Sequence, residues 1–200
     1  MTILTVGHSN HDIATFLELL ARHDVTAVAD VRSVPASRFT PQFNRRAVET
    51  SLRDAGIAYV FLGDELGART DDASCYVDGR VHYDLLARTE SFALGIERVL
   101  KGAESERIAI MCTEQDPLDC HRTVLISREL EGRGAHVSHI LADGQKESHE
   151  EAMGRLMARF GMEEAGLFMS AAERLEHALT QQELRIAYVG GSLHQSGTDG

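Results

Sequence analysis

Two thiols, an imidazole, a guanidinium and two carboxylates crowd into one stretch, Arg107–Arg133, which reads RIAIMCTEQDPLDCHRTVLISRELEGR. Cys112, Glu114 and Asp116 stand at alternate positions, and Cys120, His121 and Arg122 follow in a row. Residues of these types support two kinds of chemistry. A cysteine near a helix N-terminus, with His and Arg beside it, is held as thiolate and acts as a nucleophile. Two cysteines and a histidine are also zinc-type ligands. Cys112, Cys120 and His121 supply three, and His8 or Glu114 a fourth, for Zn or Fe, although structural zinc sites prefer cysteines two to four residues apart. Cys112 and Cys120 are equal candidates for the nucleophile, and the bland alternative is that one of them is a small core hydrophobe.

The local order supports this placement. Ile108–Met111 is a short apolar run suited to a buried strand, with Cys112 at its carboxyl end. Thr113–Asp116 reads as a loop. Asp116-Pro117 is a helix start, since Asp caps free N–H groups and Pro fits the first helical position. Leu118, Leu125 and Leu130 would anchor that helix, placing Cys120, His121 and Arg122 in its first two turns.

Three further segments end apolar runs in polar residues: Gly7-His8-Ser9, Asp30-Val31-Arg32 and Gly63-Asp64-Glu65-Leu66-Gly67. In a parallel sheet all such exits meet at one edge, where open α/β sheets bind ligands. The expected division of labour has Cys112 or Cys120 as nucleophile and His8 or His121 as proton carrier, with Glu114 and Asp30 orienting them. Ser9, Glu65, Arg32, Arg38 and Arg122 would bind ligand, the arginines through charge-assisted hydrogen bonds to its negative groups.

The elements follow from periodicity. Strands are expected at Ile3–Val6, Thr26–Val31, Ala58–Leu62, Ile108–Met111 and Val137–Leu141. Helices are expected after Asp12, from Asn44 to Gly56, over His82–Leu100, after Asp116, over Glu147–Phe160 and over Met169–Leu184. Strands alternating with helices make a single-domain α/β fold, doubly wound, with a mainly parallel sheet of about five strands and a helical C-terminal extension. The expected division is an α/β core over 1–161, a helical extension packed on it over 162–189 and a flexible tail over 190–200. Gly63–Gly79 reads as a long polar loop, and Arg185–Val189 as a short strand or ordered extension.

Composition bounds the rest. A net charge of −11 disfavours extended duplex binding, which needs surplus Lys and Arg. Arg32, Arg38, Arg45 and Arg46 nevertheless form a local basic cluster, with Phe39 and Phe43 as stacking faces. No apolar run approaches the ~20 residues that span a bilayer, and the N-terminus leads directly into a strand. Three unevenly spaced cysteines argue against a disulfide framework and for a reducing cytoplasm.

Several stretches together resemble the domain-of-unknown-function 488 family. They are Thr5-Val6-Gly7-His8-Ser9, Asp30-Val31-Arg32-Ser33, Ser37-Arg38-Phe39 with Pro41-Gln42-Phe43-Asn44, Leu66-Gly67, the run from Cys112 to Arg122, and Arg185-Ile186-Ala187-Tyr188. The resemblance implies a cytoplasmic α/β protein and no particular activity. The family's double glycine after leucine is replaced here by Gly67-Ala68. A weaker similarity, by layout alone, is to rhodanese-type sulfurtransferases, whose persulfide cradle is shorter than Cys112–Arg122.

The sequence therefore leads to an enzyme expectation: a small anionic or nucleotide-like ligand bound at the C-terminal sheet edge, with Cys, His and Arg chemistry such as sulfur or group transfer. The alternatives are a metal-binding protein using Cys112, Cys120 and His121 or His8, and a module that binds a nucleotide or a nucleic-acid end.

Overall fold

A computed structural model of the chain describes residues 1–163 and 169–190. The apolar runs form β1 (Thr2–Gly7), β2 (Ala27–Asp30) and β3 (Ala58–Phe61). A small antiparallel hairpin follows, β4 (Tyr76–Val77) with β5 (Arg80–Val81). Then come β6 (Ile108–Cys112), β7 (His136–Ile140) and β8 (Lys146–Ser148). The main sheet has six strands in the order β3-β2-β6-β1-β7-β8. Its first five are mutually parallel, and β8 returns antiparallel to β7. The fold is thus α/β with a mostly parallel sheet, one strand wider than expected.

Pairing register brings the exits level. Gly7 stands opposite Cys112, and Asp30 opposite Met111. The strand carrying Cys112 therefore lies between the two strands that lead to His8 and Arg32.

The sheet is covered on both faces. On one face α1 (Ile13–Ala21) and α2 (Arg45–Asp54) bury Phe16, Leu19, Leu20, Val48 and Leu52 against Leu4, Val28 and Met111. On the other, Leu66, Phe92, Ile96, Val99, Leu130, Leu156 and Leu179 pack against Ile3, Ala29 and Ile110. They come from α3 (Gly63–Leu66), α5 (Glu90–Gly102), α6 (Arg128–Gly132), α7 (His149–Arg159) and α8 (Ala171–Ile186), with α4 (Tyr83–Ala87) beside them. The chain leaves β1 and β2 toward one face and the intervening β6 toward the other. Neighbouring strands whose exits diverge in this way leave a crevice at their carboxyl ends.

Several boundaries depart from the periodic reading. The helix expected from Glu147 begins at His149, because Ser148 is its N-cap and forms a capping box with Glu151. The three residues before it form β8, too short to show alternation. The helix expected over His82–Leu100 is divided at Thr89, whose hydroxyl accepts from the Phe92 N–H and starts α5 anew. The Gly63–Gly79 stretch is not one loop but holds α3 and β4. Helix α8 runs through Ile186, and only Val189 bridges to Arg80. Buried Ala178 and Leu179 seat α8 on the core, and Gln182 Nε2 donates to the Leu118 carbonyl at 2.9 Å. The expected tail, from residue 191 on, lies outside the described residues, as do residues 164–168 of the expected extension. Among the described residues no helix is long and apolar enough to cross a membrane.

The largest departure follows Asp116. Asp116 does cap a turn, accepting from the Leu118 N–H at 3.0 Å, but that turn is a single 3-10 turn, Pro117–Asp119. Cys120 is extended (φ −138°, ψ 141°), and the helical path restarts at His121. It runs as a π-helical stretch over Arg122–Ser127 and continues as α6. Cys120 thus stands just before a helix rather than inside its first turn. Its carbonyl accepts from the N–H groups of Thr123 and Val124.

A thiol and imidazole cluster at the sheet edge

Cys112, Cys120 and His121 converge on the crevice between β2 and β6. Nδ1 of His121 lies 3.7 Å from Sγ of Cys120 and 3.8 Å from Sγ of Cys112. The three ligand-type atoms all fall within 4.8 Å of one another. The imidazole is fixed by its other nitrogen, since Nε2–H donates to the Val31 carbonyl at 3.2 Å. Cys112 comes from the end of β6 and donates to Glu114 Oε2 at 3.4 Å. The cluster forms the floor of a cleft of about 290 Å³. Arg32, Ser33, Arg69, Tyr83 and Tyr188 complete its walls.

Arg122 is the largest fully buried side chain, 0 % exposed. It does not line the cleft. Its Nη1 donates to the Glu114 carbonyl at 2.8 Å and Nη2 to the Gln115 carbonyl at 3.3 Å, which pins the loop after β6. Among the described residues it makes no ion pair with a carboxylate, and its Nε–H has no hydrogen-bond partner. A buried guanidinium with only carbonyl partners keeps its field for its surroundings. Gly7 leaves room for this loop: a Cβ there would fall on the Glu114 carbonyl oxygen and within 3.2 Å of Arg122 Nη2.

These charges set the protonation pattern. Burial alone would push the Cys120 thiol up. The Cys112 thiol beside it, the Arg122 charge and His121 outweigh it and hold Cys120 well below the ordinary thiol range. Cys112 moves the other way, well above that range, because the Cys120 sulfur beside it favours its protonated form and because it is buried. His121 is pulled down by burial, but the facing Cys120 sulfur more than restores it, so its imidazole is raised. Glu114 is raised by burial and by the same sulfur. These shifts favour a thiolate at Cys120 beside an imidazolium at His121, with the proton retained on Cys112.

Arg32 is held in place from behind. Its Nε donates to Asp30 Oδ1 at 2.8 Å and Nη2 to Oδ2 at 2.6 Å. Tyr59 donates to the same carboxylate at 2.8 Å. Nη1 donates to His8 Nε2 at 3.1 Å, which makes His8 the neutral tautomer with Nδ1–H on the Ser9 carbonyl. Burial and the Arg32 charge lower His8 to about 4. His8 also stacks on Phe43, with centroids 4.3 Å apart. It positions Arg32 and does not reach the thiols. Three of the five guanidinium donors of Arg32 are used, which leaves two on a residue that lines the cleft.

The remaining expected ligand residues lie elsewhere. Arg38 is exposed and stacks on Phe39, itself 79 % exposed, outside the cleft. Arg45 covers Phe61 on its own surface. Phe43, expected as a stacking face, is buried in the core. Glu65 pairs with Arg98 of α5. Ser9 contributes backbone: its N–H donates to the Thr113 carbonyl at 2.8 Å and its hydroxyl to Asn10. Residues that the sequence did not single out take part instead. Arg69 donates its backbone N–H to Ser33 Oγ, and its guanidinium lies over the Tyr188 ring at 4.7 Å. Tyr59 was detectable only as a polar end on an otherwise apolar strand facing Asp30. Tyr188 ends the stretch Arg185-Ile186-Ala187-Tyr188, which lies beyond any expected strand exit.

Cys112, Cys120 and His121 also have the spacing of an ion-binding tripod. Tetrahedral zinc with Zn–S of about 2.3 Å and Zn–N of about 2.0 Å separates its ligand atoms by roughly 3.5–3.8 Å. The Val31 carbonyl on Nε2 is the outer-shell contact that fixes a ligating histidine. Either a nucleophilic thiolate or a three-ligand ion site is chemically consistent with this floor.

No curated protein and no solved structure matches the chain. The match to known sequences is at family level and spans residues 12–128, which include Asp30, Arg32 and the whole Cys112–Arg122 run but not His8, α7 or α8. With more than half of its length covered by that family's model, the chain belongs to the family described as domain of unknown function DUF488.

Proposed function

We propose that this chain is a cytoplasmic enzyme that binds a small anionic ligand in the cleft at the sheet edge and transfers a group from it to the sulfur of Cys120. The observation that carries the reading is a thiol held between an imidazole, a second thiol and the unpaired Arg122 guanidinium, on the floor of a cleft with arginines on its wall. The two spare donors of Arg32 and the guanidinium of Arg69 grip the negative groups of the ligand. The Cys120 thiolate attacks, and His121 gives its proton to the leaving group. A nucleotide-like ligand fits the same donors, with Tyr188 as a ring face. The charge of −11 keeps extended duplexes away.

Alkylation by iodoacetamide tests this. Cys120 is expected to label fastest at neutral pH, and inorganic phosphate or sulfate is expected to slow it. Equal labelling of Cys75, Cys112 and Cys120, unaffected by either anion, would reject the reading.

A second reading has its own observation: the 3.7 and 3.8 Å sulfur-to-nitrogen spacings suit a bound Zn or Fe ion with its open position toward the cleft. Elemental analysis of untagged protein decides it. Stoichiometric metal together with blocked thiols favours the ion site, and metal-free protein with a fast Cys120 favours the transferase.

A further inference from the structure

Helping to hold the Cys120 thiolate does not require that its neighbour be a second buried sulfur within reach of the first. Cys112 and Cys120 nevertheless share one imidazole nitrogen, and their sulfurs lie within 4.8 Å. Cys112 also has a carboxylate 3.4 Å away to receive its proton. The third cysteine, Cys75, is buried beside β4 and away from the cleft. Chemistry that uses both sulfurs is sulfur-on-sulfur exchange, in which one thiolate opens a disulfide and a neighbour resolves it.

We infer that Cys120 and Cys112 form an attacking and resolving pair that reduces a small anionic disulfide. This rests on the reading of Cys120 as nucleophile and names its substrate class. In the first step the Cys120 sulfur attacks one sulfur of R–S–S–R′. The substrate S–S bond breaks, and R′S⁻ leaves with the proton of His121. In the second step Cys112 gives its proton to Glu114 and attacks Cys120 Sγ. The mixed disulfide breaks, RS⁻ takes that proton, and a Cys112–Cys120 disulfide remains. Two protein thiols are oxidised and one small disulfide becomes two thiols, so atoms and electrons balance. An external thiol reductant is needed to reset the pair.

Both sulfurs line the cleft, and their neighbours assign the order. Cys112 has a carboxylate 3.4 Å away to take its proton, as a resolving thiol needs, and Cys120 stands before the helical stretch with His121 Nδ1 3.7 Å away, as an attacking sulfur needs. The arginines on the wall select an anionic disulfide over a neutral one. The cleft also shares Arg69 and Tyr188 with a neighbouring groove of about 730 Å³, which gives room for the part of the substrate beyond the reacting sulfurs.

The probe is oxidised glutathione, an anionic disulfide, added to reduced full-length protein and followed by intact mass and peptide mapping. The wild type is expected to lose two hydrogens, release glutathione and show a Cys112–Cys120 link. Cys112→Ser is expected to stop at one glutathionyl adduct on Cys120, and Cys120→Ser to give neither product at a comparable rate. Stable glutathionylation of the wild type without the internal link overturns the pairing. So does a bound metal ion that keeps both thiols unreactive. If the pairing fails while anions still protect Cys120 from iodoacetamide, the transferase reading stands without it. If Cys120 is inert to both reagents, the two fall together.

Discussion

Arg32 follows Asp30 by two residues and turns its guanidinium back onto that carboxylate, Nε on Oδ1 at 2.8 Å and Nη2 on Oδ2 at 2.6 Å. Both side chains are buried, 6 % and 0 % exposed. The pair therefore aims Arg32 at the cleft at the risk of a stranded charge. Asp30→Asn keeps the shape but leaves the guanidinium unpaired, and breaking such a pair costs about 3 kcal/mol or more. Urea denaturation at neutral pH is expected to show that loss, and a change under 1 kcal/mol would mean that the pair does not hold β2's exit.

Acid is expected to destabilise the protein through its buried histidines. His8 is lowered from 6.5 to about 4 by burial and then by Arg32. His139 and His149, joined at 3.3 Å with Thr5 behind them at 2.8 Å, are lowered as well, chiefly by burial. A base whose folded pKa is depressed takes its proton more readily when unfolded. Its contribution is complete above about pH 6.5 and is lost as pH falls toward 4. For His8 alone that amounts to about 3 kcal/mol. Unfolding midpoints measured across this range are expected to fall steeply for the wild type and less steeply for His8→Asn. Parallel curves would remove His8 from the explanation.

The labelling rate of Cys120 against pH reads the charges around it. In the wild type the rate is expected to reach half its maximum below the ordinary thiol range. Arg122→Met removes the buried guanidinium, and its half-maximal pH is expected to rise. Loss of the two carbonyl hydrogen bonds would also loosen the loop, so a thermal melt accompanies the measurement. A well-folded variant with an unchanged profile would show that Arg122 only pins the loop.

Arg69 is exposed and outside the core, so its removal is a mild perturbation with a local readout. Arg69→Ala is expected to weaken phosphate protection of Cys120 about tenfold, or about 1.4 kcal/mol. Its melting temperature is expected to stay near the wild type's. Unchanged protection would leave Arg32 as the single anion contact.

At Gly7, any side chain meets the Glu114 carbonyl. Gly7→Ala is expected to cost about 1–3 kcal/mol, as overpacking does. It should also slow Cys120 labelling, since Arg122 and the loop after β6 must move. Normal stability with normal labelling would show that the loop relaxes freely.

The sheet was legible because its interior strands are apolar runs of the right length and its exits are polar. β8 was not, since three residues show no alternation, and neither was the break at Cys120, where Asp116 and Pro117 signal a helix that stops after one turn. The convergence of Cys112, Glu114, Cys120 and His121 could be read from their places at a strand end and a helix start, because short side chains stay near their backbone. Long ones do not. Arg122 turns inward to carbonyls, Glu65 reaches across to Arg98, and Arg38 lies on Phe39. Nothing in a linear pattern reports which way a flexible stem will turn. Arg69 and Tyr188 were missed for a different reason: they meet over the cleft from segments 119 positions apart.

The strand that carries Cys112 is inserted between β1 and β2. During synthesis the first two strands therefore have no lasting neighbour in each other, and the gap between them closes only when residues 108–112 arrive. Such long-range closure is slow and comes late in assembly. The surroundings of Cys120 are thus withheld from the nascent chain: it acquires its imidazole, its second thiol and its guanidinium only when the whole sheet is zipped. Gain of thiol reactivity during refolding would mark the last step of folding.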